Sequence, residues 1–111
     1  MMAEASDHML AKRAATLAGE LLMTLRQEAK DANLPSKRIG EIGDAQSHKL
    51  LCAFLNDTFP DDAILSEEQV DDLARLDAGR VWIIDPLDGT REFSEGDRDD
   101  WAVHVALVEN Q

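Results

Sequence analysis

The residues best suited to chemistry form one short run, Asp85-Pro86-Leu87-Asp88-Gly89-Thr90. Two carboxylates, a glycine and a hydroxyl stand close together in this run. Carboxylate and carbonyl oxygens are the ligands that hard cations such as Mg²⁺ prefer. A Gly-Thr pair that opens a helix also offers backbone N–H groups to an anion. The run therefore predicts a joint site for a cation and a phosphate group.

The neighbouring residues predict how this run is positioned. Apolar and β-branched residues precede Asp85 and indicate a buried strand over about residues 80–85. The proline stiffens the following turn and presents the Leu87 carbonyl as a further hard oxygen ligand. Gly89 lets the backbone approach a phosphate closely. We therefore expect a strand, a tight turn and then a helix that begins after Asp88.

Two other acidic positions lie upstream of this turn. Asp44 directly precedes a helical pattern over about residues 45–56, and by itself it is most simply the N-cap of that helix. Glu67 follows a short apolar strand, about residues 63–66, although Glu67 and Glu68 could instead begin the next helix. With Asp85 and Asp88 these positions place carboxylates on three elements. Two-metal phosphate hydrolysis needs such convergence, because shared oxygens must hold both cations.

The rest of the chain predicts a framework of helices and strands. Apolar residues recur at helical spacing over about residues 7–30, with Arg26 off the apolar stripe. The breaker-rich residues 31–43 predict a connecting loop. A further buried strand is expected over about residues 101–108, where His104 is expected to be a sheet residue with a hydrogen-bond partner and not a ligand. A chain of 111 residues is long enough for one domain and not for two.

Composition excludes several partners and compartments. The formal net charge of −12, from 23 acidic and 11 basic residues, argues against nucleic acid or an anionic membrane surface as a partner. Cys52 is the only cysteine, so an internal disulfide is impossible and a reducing, cytoplasmic setting is expected. Its apolar neighbours indicate core packing and not a nucleophile. No leader and no apolar run long enough to span a membrane is evident, which predicts a soluble protein.

The acidic positions together resemble a known family. The run Asp85 to Thr90, preceded by Trp82-Ile83-Ile84, matches the DPxDGT signature of the lithium-sensitive, magnesium-dependent inositol monophosphatase superfamily. Ser66-Glu67-Glu68 stands where that family carries its Glu-Glu pair, and Asp44 agrees with its third acidic position. The resemblance runs from about the first helix to the end of the chain. It implies an α+β fold, the N-terminal part of a layered α/β/α/β architecture, with two helices followed by a largely antiparallel sheet.

The residues after the signature indicate a branch of that family. Arg91-Glu92-Phe93 is similar to the Lys/Arg-Glu-Phe of 3′(2′),5′-bisphosphate nucleotidases of the CysQ type, whereas inositol monophosphatases usually carry Thr-Asn-Phe. The implied substrate is a small phosphate ester, adenosine 3′,5′-bisphosphate or its sulfated form, which would lose its 3′-phosphate. Inositol phosphates and fructose 1,6-bisphosphate remain open as alternative substrates within the same superfamily.

The resemblance also implies roles for individual residues. Glu67, Asp85 and the Leu87 carbonyl would hold the activating Mg²⁺, and Asp85 would bridge to a second ion that Asp88 also binds, with two or three ions in all. Thr90, paired with Asp44, would orient or deprotonate the attacking water. Glu67 counts with Asp44 and Thr90 as catalytic. Gly89 and Thr90 would donate their N–H groups to the substrate phosphate.

The chain departs from the family in its extent. Family members run to well over twice this length, and their C-terminal half carries a Trp-Asp-x-Ala-Ala motif whose aspartate completes the second metal site. Nothing in this chain matches that motif, so we expect the N-terminal portion of such an enzyme. An incomplete sheet exposes an edge and an apolar face, which favours self-association. A catalytically inactive fragment is therefore an alternative to an active enzyme.

A rival from another class is a haloacid-dehalogenase-type phosphatase with a DxDGT motif. There one residue separates the two aspartates, so both leave the strand on the same face. Here Pro86 and Leu87 intervene, and we expect that shared orientation to be lost. The motif also lies late in the chain. Both observations argue against the covalent aspartyl mechanism of that class.

Overall fold

The computed structural model describes residues 5–66 and 79–109. Two long helices precede a sheet in this part of the chain, so the predicted fold class is confirmed. In chain order the elements are α1 (Ala5–Asp31), α2 (Ser36–Thr58), β1 (Ala63–Ser66), β2 (Arg80–Asp88), α3 (Thr90–Ser94) and β3 (Ala102–Glu109). Along their length neither long helix is apolar enough to cross a membrane.

The main core lies between the two long helices and one face of the sheet. Trp82 and Ile84 of β2 are almost completely buried there against residues of both helices, including Ala18 and Leu55. The Trp82 ring lies 4.9 Å from that of Phe59, centroid to centroid. Burial of large apolar side chains is the dominant favourable term in folding. The core therefore fixes the strand that carries Asp85 and Asp88 against α1 and α2.

The sheet is mixed, in the order β1-β2-β3. Strand β1 runs parallel to β2, with Ser66 opposite Ile84, and the longer pairing of β2 with β3 is antiparallel. The face turned away from the helices carries Ile83, which is 41% exposed. Strand β2 extends to Asp88, beyond the predicted end at residue 85, so the turn that follows it is confined to Gly89.

The predicted loop over residues 31–43 is wrong beyond Pro35, because α2 begins at Ser36. Glycine in a helix interior costs about 1 kcal/mol relative to alanine, and the glycines of this segment suggested a loop. Tertiary packing offsets that cost here. A β-carbon on Gly43 would lie 2.7 Å from Cε2 of Phe93, so α2 approaches α3 as closely as it does only because a glycine stands there.

Two further expectations are corrected by the same helices. Asp44 is not an N-cap, since it lies inside α2, more than two turns after the first residue. Arg26 does not lie off the buried face of α1, since it is only 6% exposed.

Arg80 joins elements that are distant in sequence. Its guanidinium lies 3.2 Å from Asp7 of α1, 3.0 Å from Asp62 before β1 and 3.6 Å from Glu109 of β3. Hydrogen bonding to Asp7 is the largest effect that raises the pKa of Arg80. Asp62 also accepts a hydrogen bond from the indole of Trp82 at 2.9 Å. Asp7 and Glu109 lie near the two ends of the described chain, so the cluster connects both ends to β2.

We expect Arg80→Met to lower the free energy of unfolding by about 2 kcal/mol. Loss of one partner from a buried ion pair costs about 3–5 kcal/mol, and partial exposure of this cluster reduces the effect. Urea denaturation of the full polypeptide that the gene encodes measures the change.

Arg38→Met is the matched control for that measurement. Arg38 pairs with Glu41 at 3.8 Å on an exposed surface, where ion pairs contribute about 0–1 kcal/mol. If Arg80→Met destabilised the protein no more than Arg38→Met, the Arg80 cluster would not hold the fold together.

Candidate metal and phosphate site

A β-bulge lies in the middle of the signature. Asp85 pairs with His104 of β3 and Asp88 pairs with Ala102, so two residues of β2 stand opposite one residue of β3. Residues three apart in a regular strand face opposite sides of the sheet. The extra residue reverses that alternation. Asp85 and Asp88 consequently share a face, because their partners His104 and Ala102 are two residues apart.

This arrangement overturns one step of the sequence argument. We expected the two residues between the aspartates to separate their carboxylates, but the bulge puts both on the face turned away from α1 and α2. Asp88 is exposed there, and its Oδ2 lies 3.0 Å from Nε2 of His104. His104 is thus a sheet residue with a hydrogen-bond partner, as predicted. The expectation that this strand is buried is wrong, because His104 is exposed and most residues of β3 are half-buried.

Asp44 and Thr90 meet at the end of the sheet, although 46 positions separate them in sequence. The Thr90 hydroxyl lies 3.4 Å from each carboxylate oxygen of Asp44 and 3.2 Å from the carbonyl oxygen of Leu87. A hydroxyl has one hydrogen to donate, so these three oxygens share it. The structure therefore brings together one predicted catalytic pair and one predicted carbonyl ligand.

Gly89 makes the turn from β2 into α3. Its φ of 84° and ψ of 44° lie in the left-handed region, which glycine adopts without strain. A β-carbon at this position would also lie 2.9 Å from the carbonyl oxygen of Asp100. Thr90 is the first residue of α3, where backbone N–H groups have no acceptor within the helix. The predicted phosphate-binding amides of Gly89 and Thr90 thus lie at a helix start.

Residues of α1 hold the segment after the signature, and sequence analysis did not predict this. Arg26 donates a hydrogen bond to the carbonyl of Arg98 at 2.8 Å. Its guanidinium also lies 5.3 Å from the centroid of the Phe93 ring and 5.4 Å from that of Trp101. Carbonyl dipoles and aromatic faces stabilise a buried cation. A basic residue in a helix gives no sequence signal for such long-range contacts.

Two further pKa shifts concern a cysteine of α2 and an aspartate that precedes β3. Burial raises the pKa of the Cys52 thiol, which packs beside the main core and so behaves as core filler, as predicted. Hydrogen bonds from the Arg98 guanidinium lower the pKa of the Asp100 carboxyl. Arg98 and Asp100 thereby brace the connection that runs past Gly89 into β3.

Three of the predicted ligands lie in the described part of the chain, and their oxygen atoms suit a hard cation. Asp85, Asp88 and the Leu87 carbonyl supply oxygen ligands of the type that Mg²⁺ prefers. Glu67 lies outside the described residues. Within residues 5–66 and 79–109, no three His, Cys, Asp or Glu side chains converge closely enough to hold a metal ion. The described part therefore provides two carboxylates on one face and a separate Asp44–Thr90 pair.

Comparison with curated proteins points to a consistent group of relatives. The chain is 54% identical over 105 residues to the 3′-phosphoadenosine 5′-phosphate phosphatase of Mycobacterium leprae, a match that covers 95% of this chain and 38% of that protein. It is 58% identical over 90 residues to the protein of the same name from Mycobacterium tuberculosis, covering 81% of this chain and 33% of that protein. The chain thus spans between a third and two fifths of the length of these relatives.

Solved structures and family models agree with these relatives. The crystal structure of CysQ from Bacteroides thetaiotaomicron, described as a bacterial member of the inositol monophosphatase family, superposes with a TM-score of 0.75 at 36% sequence identity. That match covers 95% of this chain and 38% of the other. A model of the inositol monophosphatase family matches residues 5–111. The chain therefore belongs to the inositol monophosphatase family.

Proposed function

We propose that this chain is the metal- and phosphate-binding portion of a Mg²⁺-dependent phosphatase that removes the 3′-phosphate of adenosine 3′,5′-bisphosphate. The observation that carries the proposal is the bulge, which puts Asp85 and Asp88 on one face of the sheet. Thr90, two residues after Asp88, contacts Asp44 of α2. The substrate is inferred from the mycobacterial relatives, which are named as phosphatases of this nucleotide. Attack by water is part of the proposal because the Asp44–Thr90 pair supplies a carboxylate and a hydroxyl that can orient and deprotonate it.

The residues proposed to hold two or three Mg²⁺ ions are Glu67, Asp85, Asp88 and the carbonyl of Leu87. When bound, Mg²⁺ stabilises charge on the transferring phosphoryl group and makes water a better nucleophile near neutral pH. The bulge contributes by directing two carboxylates to one side of β2.

The remaining proposed roles concern water and phosphate. The hydrogen of the Thr90 hydroxyl, which Asp44 and the Leu87 carbonyl share in the structure, would point to Asp44 in the reaction, and Oγ1 would accept a hydrogen bond from the attacking water. As the water attacks phosphorus, its proton would pass to Thr90 Oγ1 while the hydroxyl proton of Thr90 passes to Asp44. The N–H groups of Gly89 and Thr90 would bind the phosphoryl oxygens. Glu67 is proposed as a catalytic residue through its part in holding the activating ion.

Inositol phosphates and fructose 1,6-bisphosphate are the alternative substrates, and lithium inhibition is part of the proposal. We also place the protein in the cytoplasm, because its single thiol is unpaired and partly buried. Strand β3 is an edge of the sheet in the described part of the chain, which supports self-association of the 111-residue chain when it is produced alone.

The proposed substrate is tested with the full polypeptide that the gene encodes. Phosphate release is measured from adenosine 3′,5′-bisphosphate, inositol 1-phosphate and fructose 1,6-bisphosphate, with and without Mg²⁺ and with added Li⁺. We expect kcat/KM to be at least about tenfold higher for the nucleotide, a difference of about 1.4 kcal/mol in transition-state binding. Activity is expected to need Mg²⁺ and to fall with Li⁺.

Two results would contradict this assignment. A higher kcat/KM for inositol 1-phosphate or fructose 1,6-bisphosphate would reject the nucleotide as the preferred substrate. Phosphate release that is unchanged by removal of Mg²⁺ would reject metal-dependent hydrolysis. The same assay on the 111-residue chain decides whether this portion is active alone.

We expect Asp85→Asn and Asp88→Asn each to lower kcat/KM by about 10³-fold while the protein stays folded. Loss of a ligand charge removes several kcal/mol of stabilisation from the transition state. Asp57→Asn, at an exposed position near the end of α2, makes the same change in charge away from the site. Steady-state kinetics and circular dichroism of all three variants measure the outcome. If the two site variants kept the activity of Asp57→Asn, neither aspartate would be a metal ligand.

A further inference from the structure

We propose that Ser47 is a positioning residue, whose buried hydrogen bond to the β-bulge holds Asp85 and Asp88 in the arrangement that binds the cation. Ser47 belongs to α2 and is completely buried. Its hydroxyl donates to the carbonyl of Pro86 at 2.7 Å. The inference rests on the proposed function, because it assigns Ser47 a part in metal binding at the same site.

The bulge needs such a contact for a physical reason. Pro86 and Leu87 fall between the ladder pairs of Asp85 and Asp88, and proline has no N–H to donate. The Pro86 side chain is fully buried, and a buried carbonyl without a donor is unfavourable. Ser47 supplies that donor from a helix. The conformation of the bulge therefore depends on α2 as well as on the neighbouring strand.

Both carbonyls of the bulge accept a side-chain hydroxyl. Ser47 binds the carbonyl of Pro86 at 2.7 Å, and Thr90 lies 3.2 Å from the carbonyl of Leu87. One hydroxyl comes from α2, before the signature in sequence, and the other belongs to Thr90, the last residue of the signature and the first of α3. The carbonyl of Leu87 is the proposed backbone ligand. Ser47 fixes the carbonyl of Pro86, which belongs to the preceding peptide unit, between Pro86 and Leu87. Loss of the Ser47 hydroxyl would therefore let that peptide unit rotate and move the Leu87 carbonyl.

Ser47 also links the bulge to the Asp44–Thr90 pair. Asp44 and Ser47 are three residues apart on α2, and residues at that spacing lie on the same side of a helix. Gly43 on this side leaves room for Phe93 of α3. One rigid helix therefore carries the partner of Thr90 and the donor to Pro86. The hydrogen bond of Ser47 therefore joins the helix that carries Asp44 to the bulge in β2.

The test separates this role from a purely structural one. Ser47→Ala removes the hydroxyl and little volume, and Leu51→Val on the same helix removes volume from the buried core while the hydroxyl of Ser47 stays in place. Both variants are made in the full polypeptide that the gene encodes. Mn²⁺ binding is measured by isothermal titration calorimetry, thermal stability is measured alongside, and kcat and KM are measured with adenosine 3′,5′-bisphosphate.

We expect Ser47→Ala to raise the dissociation constant of Mn²⁺ by about tenfold, the effect typical of losing a group that orients a metal ligand. Its kcat is expected to fall by a similar factor while KM changes less than about twofold, because metal and water are misplaced and substrate contacts remain. Leu51→Val is expected to lower thermal stability and to leave Mn²⁺ affinity unchanged.

The outcomes distinguish the inference from the proposed function. A parent protein that binds Mn²⁺ and releases phosphate, with Ser47→Ala matching it in both, would overturn the positioning role and leave the proposed function intact. Equal losses of Mn²⁺ affinity in Ser47→Ala and Leu51→Val would also overturn the role, since instability alone would then explain them. A parent that neither binds Mn²⁺ nor releases phosphate would overturn both.

Discussion

The bulge between Asp85 and Asp88 is the constraint on which the geometry of the candidate site depends. A regular strand would carry residues three apart on opposite faces, with one of the two carboxylates against the helices. The bulge inserts one residue into β2 and brings both carboxylates to the same face. It also leaves two backbone carbonyls outside the ladder, and these accept hydrogen bonds from Ser47 and Thr90.

The packing around the bulge explains how such an irregular backbone is held. Strand β2 is anchored by Trp82 and Ile84 in the main core, immediately before the bulge. After it, Phe93 is completely buried, and Arg26 of α1 binds the segment that follows. Regular, well-packed structure thus brackets the signature on both sides. A strained or irregular turn persists when its surroundings determine its conformation in this way.

The sequence predicted those features that depend on local pattern. The apolar run before Asp85 predicted a strand and Gly89-Thr90 predicted a turn into a helix; both are found, although the strand is buried on one face only. The fold class was predicted by the resemblance to a family and is confirmed. The prediction for Glu67 stays a prediction, because this residue lies outside the described part of the chain. These successes share one cause, since residues close in sequence determine each of them.

The features that the sequence did not predict depend on contacts between distant residues. The predicted start of α2 was wrong because glycine lowers helix propensity, which made the segment that contains Gly43 resemble a loop. In the structure Gly43 lies within the helix, because its close contact with Phe93 leaves no room for a side chain. The shared face of Asp85 and Asp88 was not predicted because a bulge is visible only in the pairing with β3. Ser47 and Arg26 act on backbone carbonyls far away in sequence, which no spacing rule reveals.

We propose that the bulge makes Asp85 and Asp88 parts of one cation site, and anomalous diffraction from crystals of the full polypeptide soaked in Mn²⁺ is the sharpest test. We expect anomalous peaks about 2.1 Å from carboxylate oxygens of both aspartates, the distance expected for a hard divalent cation. Ordered crystals in which Mn²⁺ binds elsewhere, with neither carboxylate as a ligand, would contradict it.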